Sequence, residues 1–230
     1  MIFSAKRGAP MAALMAVLAA SFSAGSAPSP VFTRDKGTFR MMVNGQQAGK
    51  EEFEIAPSGN HWVVRGHAEI QSGQGVTRVT GTLELHADGT PVRYEWSTEG
   101  SKQASGVIKF DGANASTELH MGSAAPFMQD FKFNSPQIAI LDNNLYEQYA
   151  VLARLYDWDK KGAQTFSVLI PQSLVPGSVT VESLGKQAVE GKQFDELRVK
   201  TEDLELDLYL DGPLLERIVA PASNAEILRD

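Results

Sequence analysis

Apolar residues occupy every second position along most of the chain beyond residue 33. The first such segment holds Phe39, Met41 and Val43. This alternation is typical of β-strands with one packed face and one wetter face. It predicts about a dozen strands. Apolar residues on later predicted strands include Phe53, Ile55, Trp62, Val64, Val79, Leu83, Tyr94, Trp96, Phe131, Phe166, Val168, Val179, Leu197, Val199, Leu206, Leu208 and Ile227.

Short turn signals separate these strands. Asn-Gly and Asp-Gly pairs favour two-residue hairpins, so they predict local antiparallel pairing without βαβ crossovers. A dozen strands is too many for a flat open sheet, so the sheet should curl or close. The predicted fold is mainly β: a large curled antiparallel sheet, arranged as a meander, a half-barrel or an open barrel. The turn pairs are Asn44-Gly45, Asp88-Gly89, Asp111-Gly112 and Asp211-Gly212.

One segment has helical spacing instead. Apolar residues at Leu145, Tyr149 and Leu152 predict a helix of about three to four turns. Asn144 followed by Glu147 matches a capping box, and the run 160–162 (Lys-Lys-Gly) matches a helix end. We expect this α-helix to pack on the concave face of the sheet.

The N-terminus has the pattern of a secretory signal peptide. Lys6 and Arg7 precede the apolar run 11–20, and small residues follow up to Ala27. We predict a signal peptide over residues 1–27, cleaved between Ser23 and Ala27, and a single β-rich domain over 33–230. The apolar run is shorter than the ~20 residues of a transmembrane helix. An amphipathic or buried N-terminal helix is the alternative interpretation.

Charge and cysteine content exclude several classes of protein. The chain has 230 residues, a net charge of −7 and no cysteine. A disulfide framework, a thiolate metal site and a cysteine nucleophile are therefore excluded. The acidic balance argues against nucleic acid and anionic membranes as partners, because both bind clustered Lys and Arg. The expected location is outside the cytoplasm, in the periplasm or the extracellular space.

Few residues suggest chemistry. The sequence has no nucleophile elbow, phosphate-binding loop or zinc-protease motif. His67 and His86 lie on polar faces of neighbouring predicted strands, and Glu205 and Asp207 share one face of another. Both pairs are interpreted as solvated side chains. We accordingly assign no catalytic residue, no metal site and no cofactor, and an enzyme is the less favoured class.

The richest combination of side chains lies at the end of the predicted helix. This end combines a cation, aromatic rings and a carboxylate, from Arg154, Tyr156, Asp157 and Trp158. Tyr149 lies five residues before Arg154 and adds another aromatic ring. Such amphipathic clusters are frequent in binding sites, so these five residues are the candidate ligand site. The alternative is structural: the aromatic rings anchor the helix, and Arg154 pairs with Asp157 at a spacing of three.

The same region resembles a known group of proteins. The segment YAVLARLYDW (149–158), the later runs 164–166 (QTF) and 169–172 (LIPQ), and the tail around 208–211 (LYLD) carry the resemblance. They are similar to bacterial exported β-rich domains of unknown function, some of which precede an α/β-hydrolase domain on one chain. The resemblance covers most of the predicted mature chain. It implies no catalytic residues.

Two function classes remain. The continuous apolar face and the aromatic helix end favour a non-catalytic binding or carrier module for an apolar ligand or peptide. The resemblance supports the alternative, an accessory or interaction domain whose partner protein is a separate envelope hydrolase. A cavity beside the aromatic residues favours the carrier, and a filled interior favours the interaction domain.

Overall fold

The computed structural model describes residues 31–73, 75–100 and 103–230. The predicted signal peptide, residues 1–27, lies outside the described residues. Strands dominate the fold, as the alternation predicts. The strands are β1 (Asp35–Val43), β2 (Gln46–Ser58), β3 (His61–Ser72), β4 (Gly75–Leu85), β5 (Pro91–Glu99), β6 (Ala104–Asp111), β7 (Asn114–Met121), β8 (Phe127–Lys132), β9 (Ile138–Ile140), β10 (Gln164–Ile170), β11 (Val175–Val189), β12 (Lys192–Lys200), β13 (Glu205–Asp211), β14 (Leu214–Ala220) and β15 (Ala225–Arg229).

All of these strands belong to one sheet. Its order is β8-β7-β6-β5-β4-β3-β2-β1-β15-β14-β13-β12-β11-β10-β9. The first eight strands form a meander that spreads outward from β1, and the last seven spread the other way from β15. The two halves meet where β1 pairs with β15, with Phe39 opposite Arg229 and Met41 opposite Ile227. The first and last strands are therefore neighbours at the centre of the sheet.

The two edges of the sheet are joined directly by the chain. β8 and β9 are the edge strands, and only residues 133–137 connect them. A link of that length spans at most about 20 Å, so the edges must lie near each other. The sheet is thus strongly curled without being closed, which confirms the predicted curled sheet.

The glycine turns have the backbone conformation that the sequence predicts. Asn44 and Gly45 both have positive φ, of 52° and 76°, as a tight hairpin between β1 and β2 requires. Gly89, Gly112 and Gly212 also have positive φ. Each of these turns joins two antiparallel neighbours.

One pair of strands departs from the prediction. β9 and β10 are parallel, with Val168 opposite Ala139, and the helix lies between them in the chain. The expectation of no βαβ crossover was therefore wrong at this point. β9 has only three residues, all buried, so it shows no alternation that could reveal a strand.

The helix α1 (Glu147–Leu155) is shorter than predicted and is buried nearly all round. All of its residues except Tyr149 and Arg154 are buried, and it contacts β3, β9 and β14. A helix that is enclosed by strands from both halves of a curled sheet lies in the concavity, as expected. The helix ends at Leu155, because the backbone of the following residue, Tyr156, is extended, so the predicted end at 160–162 was wrong.

Two glycines on neighbouring strands make room for the start of this helix. Gly66 of β3 pairs with Gly81 of β4. A Cβ atom on Gly66 would lie 2.6 Å from Glu147 Oε1, and one on Gly81 would lie 2.6 Å from Leu145 Cδ1. Both distances are shorter than real Cβ contacts, so the side chains of Glu147 and Leu145 pack directly against the backbone of these two glycines.

We predict that Gly81→Ala lowers the free energy of unfolding by about 1–3 kcal/mol, because the added methyl group overpacks the contact with Leu145. Urea unfolding followed by circular dichroism measures it. Gly177→Ala is the matched control, since a Cβ there would lie 3.6 Å from Val168 Cγ2, an ordinary contact. Equal losses in the two variants would contradict the close approach of helix and sheet.

Candidate functional site

A carboxylate from the sheet holds the start of α1. Glu51, in β2, accepts hydrogen bonds from the backbone N–H groups of Tyr146 (2.7 Å) and Glu147 (3.1 Å). These are two of the N–H groups that a helix start leaves without intrahelical partners. The predicted capping box was wrong: the cap position is Tyr146, and Asn144 has a positive φ of 71°.

A buried polar network continues from this cap. The Tyr94 hydroxyl, on β5, donates to Asp142 Oδ2, and Gln172 Nε2 donates to Asp142 Oδ1. Gln148 Nε2 donates to the Tyr94 hydroxyl oxygen over 3.2 Å. The network therefore connects the loop before α1, the helix itself, strand β5 and the turn that follows β10.

Burial makes the carboxyl groups of this region hold their protons more tightly. It raises the pKa of Asp142 to about 7, although Tyr94 and Gln172 both donate to the carboxylate. Burial likewise raises the pKa of Glu51 and, together with the negative charge of Glu51, the pKa of Glu147. Glu147 Oε2 is buried and has no hydrogen-bond partner. A protonated Glu147 facing an ionised Glu51 fits this geometry.

A cavity lies beside this network, between residues 142–149 and strands β13 to β15. We call it the helix-side cavity; its volume is about 510 Å³. That volume lies within the usual range of small-molecule sites, about 300–1,000 Å³. Its described lining residues are Asp142, Asn143, Asn144, Tyr146, Tyr149, Leu204, Leu206, Ile218, Ala220, Ser223, Ala225 and Ile227.

The helix-side cavity has one apolar wall, with aromatic rings beside it. Leu206, Ile218 and Ile227 come from three adjacent strands. The rings of Tyr146 and Tyr149 are stacked at a centroid distance of 6.4 Å. An apolar wall with a rigid aromatic side is a surface that favours an apolar ligand.

Of the five predicted site residues, only Tyr149 lines this cavity. Tyr156 lies beyond the other end of α1, where its hydroxyl donates to Gly162 O (2.8 Å) and accepts from Ser183 N (3.3 Å). Trp158 packs edge-on against Tyr156 at 5.1 Å and is 42% exposed. The structure therefore does not bring the five candidates together.

Arg154 and Asp157 have structural partners. Arg154 Nη2 lies 2.7 Å from Asp35 Oδ2, and Arg229 Nη2 lies 2.5 Å from Asp35 Oδ1. Asp157 Oδ1 accepts from the backbone of Asp159 and Lys160, and its carboxylate pairs with Lys160 Nζ at 3.0 Å. The predicted Arg154–Asp157 ion pair was wrong, because each residue pairs elsewhere.

Asp207 and His86 are two of the other residues that the sequence singled out. Asp207 is buried rather than solvated, because Arg198 Nε and Nη2 bind its two oxygens at 2.7 and 3.2 Å. His86 lies beside His61, with ring centroids 5.1 Å apart. Among the described residues, no three His, Asp or Glu side chains are placed to hold a metal ion.

A second, slightly larger cleft lies between the end of β8 and strands β10 and β11. Its volume is about 590 Å³. Its lining includes Asn134, Ser135, Gln137, Thr165 and Ser178, so it is mostly polar. The helix-side cavity is therefore the better match to an apolar ligand.

Comparisons with known protein families, with curated proteins and with solved structures found no match for this chain. In the part of the chain that the structure describes, no helix has both the length and the apolar character to span a membrane.

Proposed function

We propose that this protein is exported and acts, in the periplasm or outside the cell, as a non-catalytic binding or carrier module for an apolar ligand. The observation that carries the proposal is the helix-side cavity, which combines a suitable volume with walls of Leu206, Ile218 and Ile227. The leader-like N-terminus and the resemblance to bacterial exported domains support export.

The arrangement of α1 supports a role for the cavity rather than simple packing. Glu51 and the Asp142 network hold the loop before the helix in place from the sheet. The cavity wall is thus held rigidly, which lowers the entropic cost of binding. A filled interior would favour the accessory-domain alternative, and a cavity of this size favours the carrier.

Binding of a neutral fluorescent probe tests the proposal. We expect N-phenyl-1-naphthylamine to bind the protein saturably with a blue-shifted emission, because the cavity offers an apolar environment. Ala225→Trp places an indole in the cavity and should weaken binding by about tenfold or more. Native mass spectrometry and lipid extraction of the protein as purified would detect a ligand already bound.

The matched control is Ala188→Trp, which adds the same side chain to an exposed position of β11. It should bind the probe as the unmodified protein does. A protein that is purified without ligand and does not bind the probe saturably would refute the carrier proposal. Equal binding by the Ala225→Trp variant would place the ligand elsewhere.

A further inference from the structure

The exposed apolar side chains of this protein are concentrated at one end of the sheet. Neighbouring strands are antiparallel apart from β9 and β10, so the end of β1 lies beside the starts of β2 and β15, and this alternation continues to both edges. Of the nine large apolar side chains that are exposed among the described residues, seven lie at this end. We call these seven the apolar rim: Val43, Val76, Met121, Phe127, Met128, Val175 and Leu204.

The apolar rim extends over both halves of the sheet. Val43 ends β1 and Phe127 begins β8, whereas Val175 begins β11 and Leu204 directly precedes β13. Because the sheet is curled, these strand ends form an arc that faces one direction. Single exposed apolar residues are common on soluble proteins, but a group of them marks an interaction surface. A broad, deformable surface can contact the whole arc at once, which favours a lipid bilayer over a compact protein site.

The distribution of charge distinguishes this end of the sheet from the other. Turns at the opposite end carry charged residues, among them Asp88, Asp111 and Glu190. At the rim end, the turn before β13 has two acids, Glu202 and Asp203, which disfavour an anionic surface. Four other described turns there have no charged residue: 44–45, 122–126, 171–174 and 221–224.

The helix-side cavity opens at the same end. Leu204 belongs to the apolar rim and also lines the cavity, and Val43 lies opposite the lining residue Ala225. Two further lining residues, Asn143 and Ser223, are exposed to solvent. The apolar rim therefore borders the opening of the cavity.

We propose that the apolar rim docks this protein onto the surface of a lipid bilayer whose head groups carry no net charge. The rim side chains enter the boundary between head groups and acyl chains, and the helix-side cavity then faces the bilayer. An apolar ligand can pass between bilayer and cavity in this orientation without crossing water. The docking goes beyond the carrier proposal, because it requires the rim alone.

Flotation with phosphatidylcholine vesicles tests the docking. We expect the protein to float with these vesicles, and raising the salt concentration should not release it, because the contact is apolar. Vesicles of phosphatidylcholine and phosphatidylglycerol in equal parts should bind it more weakly, because Glu202 and Asp203 are repelled by anionic lipid.

Two variants on distant strands locate the contact at the rim. Met128→Gln in β8 and Val175→Gln in β11 should each weaken vesicle binding by about fivefold, because each removes an apolar side chain from the lipid contact. The matched control is Leu184→Gln, since Leu184 is 37% exposed and lies on β11 away from the rim. It should bind vesicles as the unmodified protein does. Circular dichroism checks that all three variants remain folded.

Several results would overturn the docking. They are an unmodified protein that does not float with phosphatidylcholine vesicles, equal weakening by Leu184→Gln, and unchanged binding by Val175→Gln, which would reduce the rim to a local patch on β8. Sedimentation velocity covers another occupant: self-association that both rim variants abolish, without vesicle binding, would assign the rim to a second copy of the chain.

The failures of the two proposals are distinguishable. Saturable binding of N-phenyl-1-naphthylamine without vesicle binding would overturn the docking and leave the carrier proposal standing. Vesicle binding through the rim without probe binding would support the docking and count against the carrier. If neither the probe nor the vesicles bind, both proposals fail.

Discussion

Asp35→Asn should lower the free energy of unfolding by about 3–5 kcal/mol, because it leaves two guanidinium groups, whose side chains are mostly shielded from solvent, without their shared counter-charge. The Asp35 side chain is 1% exposed, and that of Arg154 is 4% exposed. Arg154 and Arg229 would then face each other as like charges, and Arg229 already acts to lower the pKa of Arg154. The asparagine keeps the shape of the side chain, so the loss would report charge rather than packing.

Asp35 connects three elements of the fold, so its replacement should destabilise the whole domain. Asp35 lies on β1, Arg154 on α1 and Arg229 on β15, so one carboxylate joins the helix to the seam between the two halves of the sheet. Arg154 is further held by the carbonyl oxygens of Thr33 (3.4 Å) and Pro213 (3.3 Å). These two neutral acceptors remain when Asp35 is replaced, and neither of them supplies a counter-charge.

The matched control is Asp230→Asn, which removes an exposed ion pair with Arg40. Both of those side chains are 44% exposed, so the expected loss is at most about 1 kcal/mol. Urea unfolding of both variants at pH 7 measures the difference. A loss for Asp35→Asn no larger than that of the control would show that the buried cations find other partners.

The alternation of residues could have revealed these buried acids. Asp35 occupies the same face of β1 as Phe39 and Met41, and Glu51 occupies the same face of β2 as Phe53. An acid at an inward position predicts a buried partner. The partner itself could not be predicted, because Glu51 binds residues about 95 positions further along the chain.

The sequence predicted the curled sheet and the helix better than it predicted the site. Hairpin turns depend on two adjacent residues, so Asn44 and Gly45 determine their turn locally. Tyr149 and Tyr156 are separated by about 10 Å along a helix axis, so aromatic residues near in sequence reach different surroundings. The helix-side cavity also depends on β13 to β15, which lie far away in the chain.

Raising the pH from 5 to 8 should destabilise the protein, and the buried carboxyl group of Asp142 should contribute to this loss. Burial raises the pKa of Asp142 from 3.8 to about 7, so the folded state binds this proton more tightly than the unfolded state. The stabilisation is complete below about pH 4 and is lost as the pH rises through 7. A shift of this size corresponds to at most about 4 kcal/mol.

Other carboxyl groups determine the pH window in which this effect is visible. The pKa values of Glu51 and Glu147 are also raised by burial, so both groups act in the same direction as Asp142. Hydrogen bonds lower the pKa values of Asp88 and Asp157, which gives the opposite sign. Those two groups are ionised in both the folded and unfolded states above about pH 5, so they do not oppose the loss between pH 5 and 8.

Urea unfolding at pH 5, 6, 7 and 8 measures this slope, and Asp142→Asn should flatten it because an amide does not titrate. The Asn side chain stands in for the protonated acid, so this variant should lose least relative to the unmodified protein at pH 8. Asp157→Asn is the control that should keep the full slope, because its carboxylate lies at the surface and carries a lowered pKa. Stability that stays constant or rises from pH 5 to 8 would contradict this prediction. It would mean that Asp142 is ionised throughout this range and that its hydrogen-bond donors stabilise the charge.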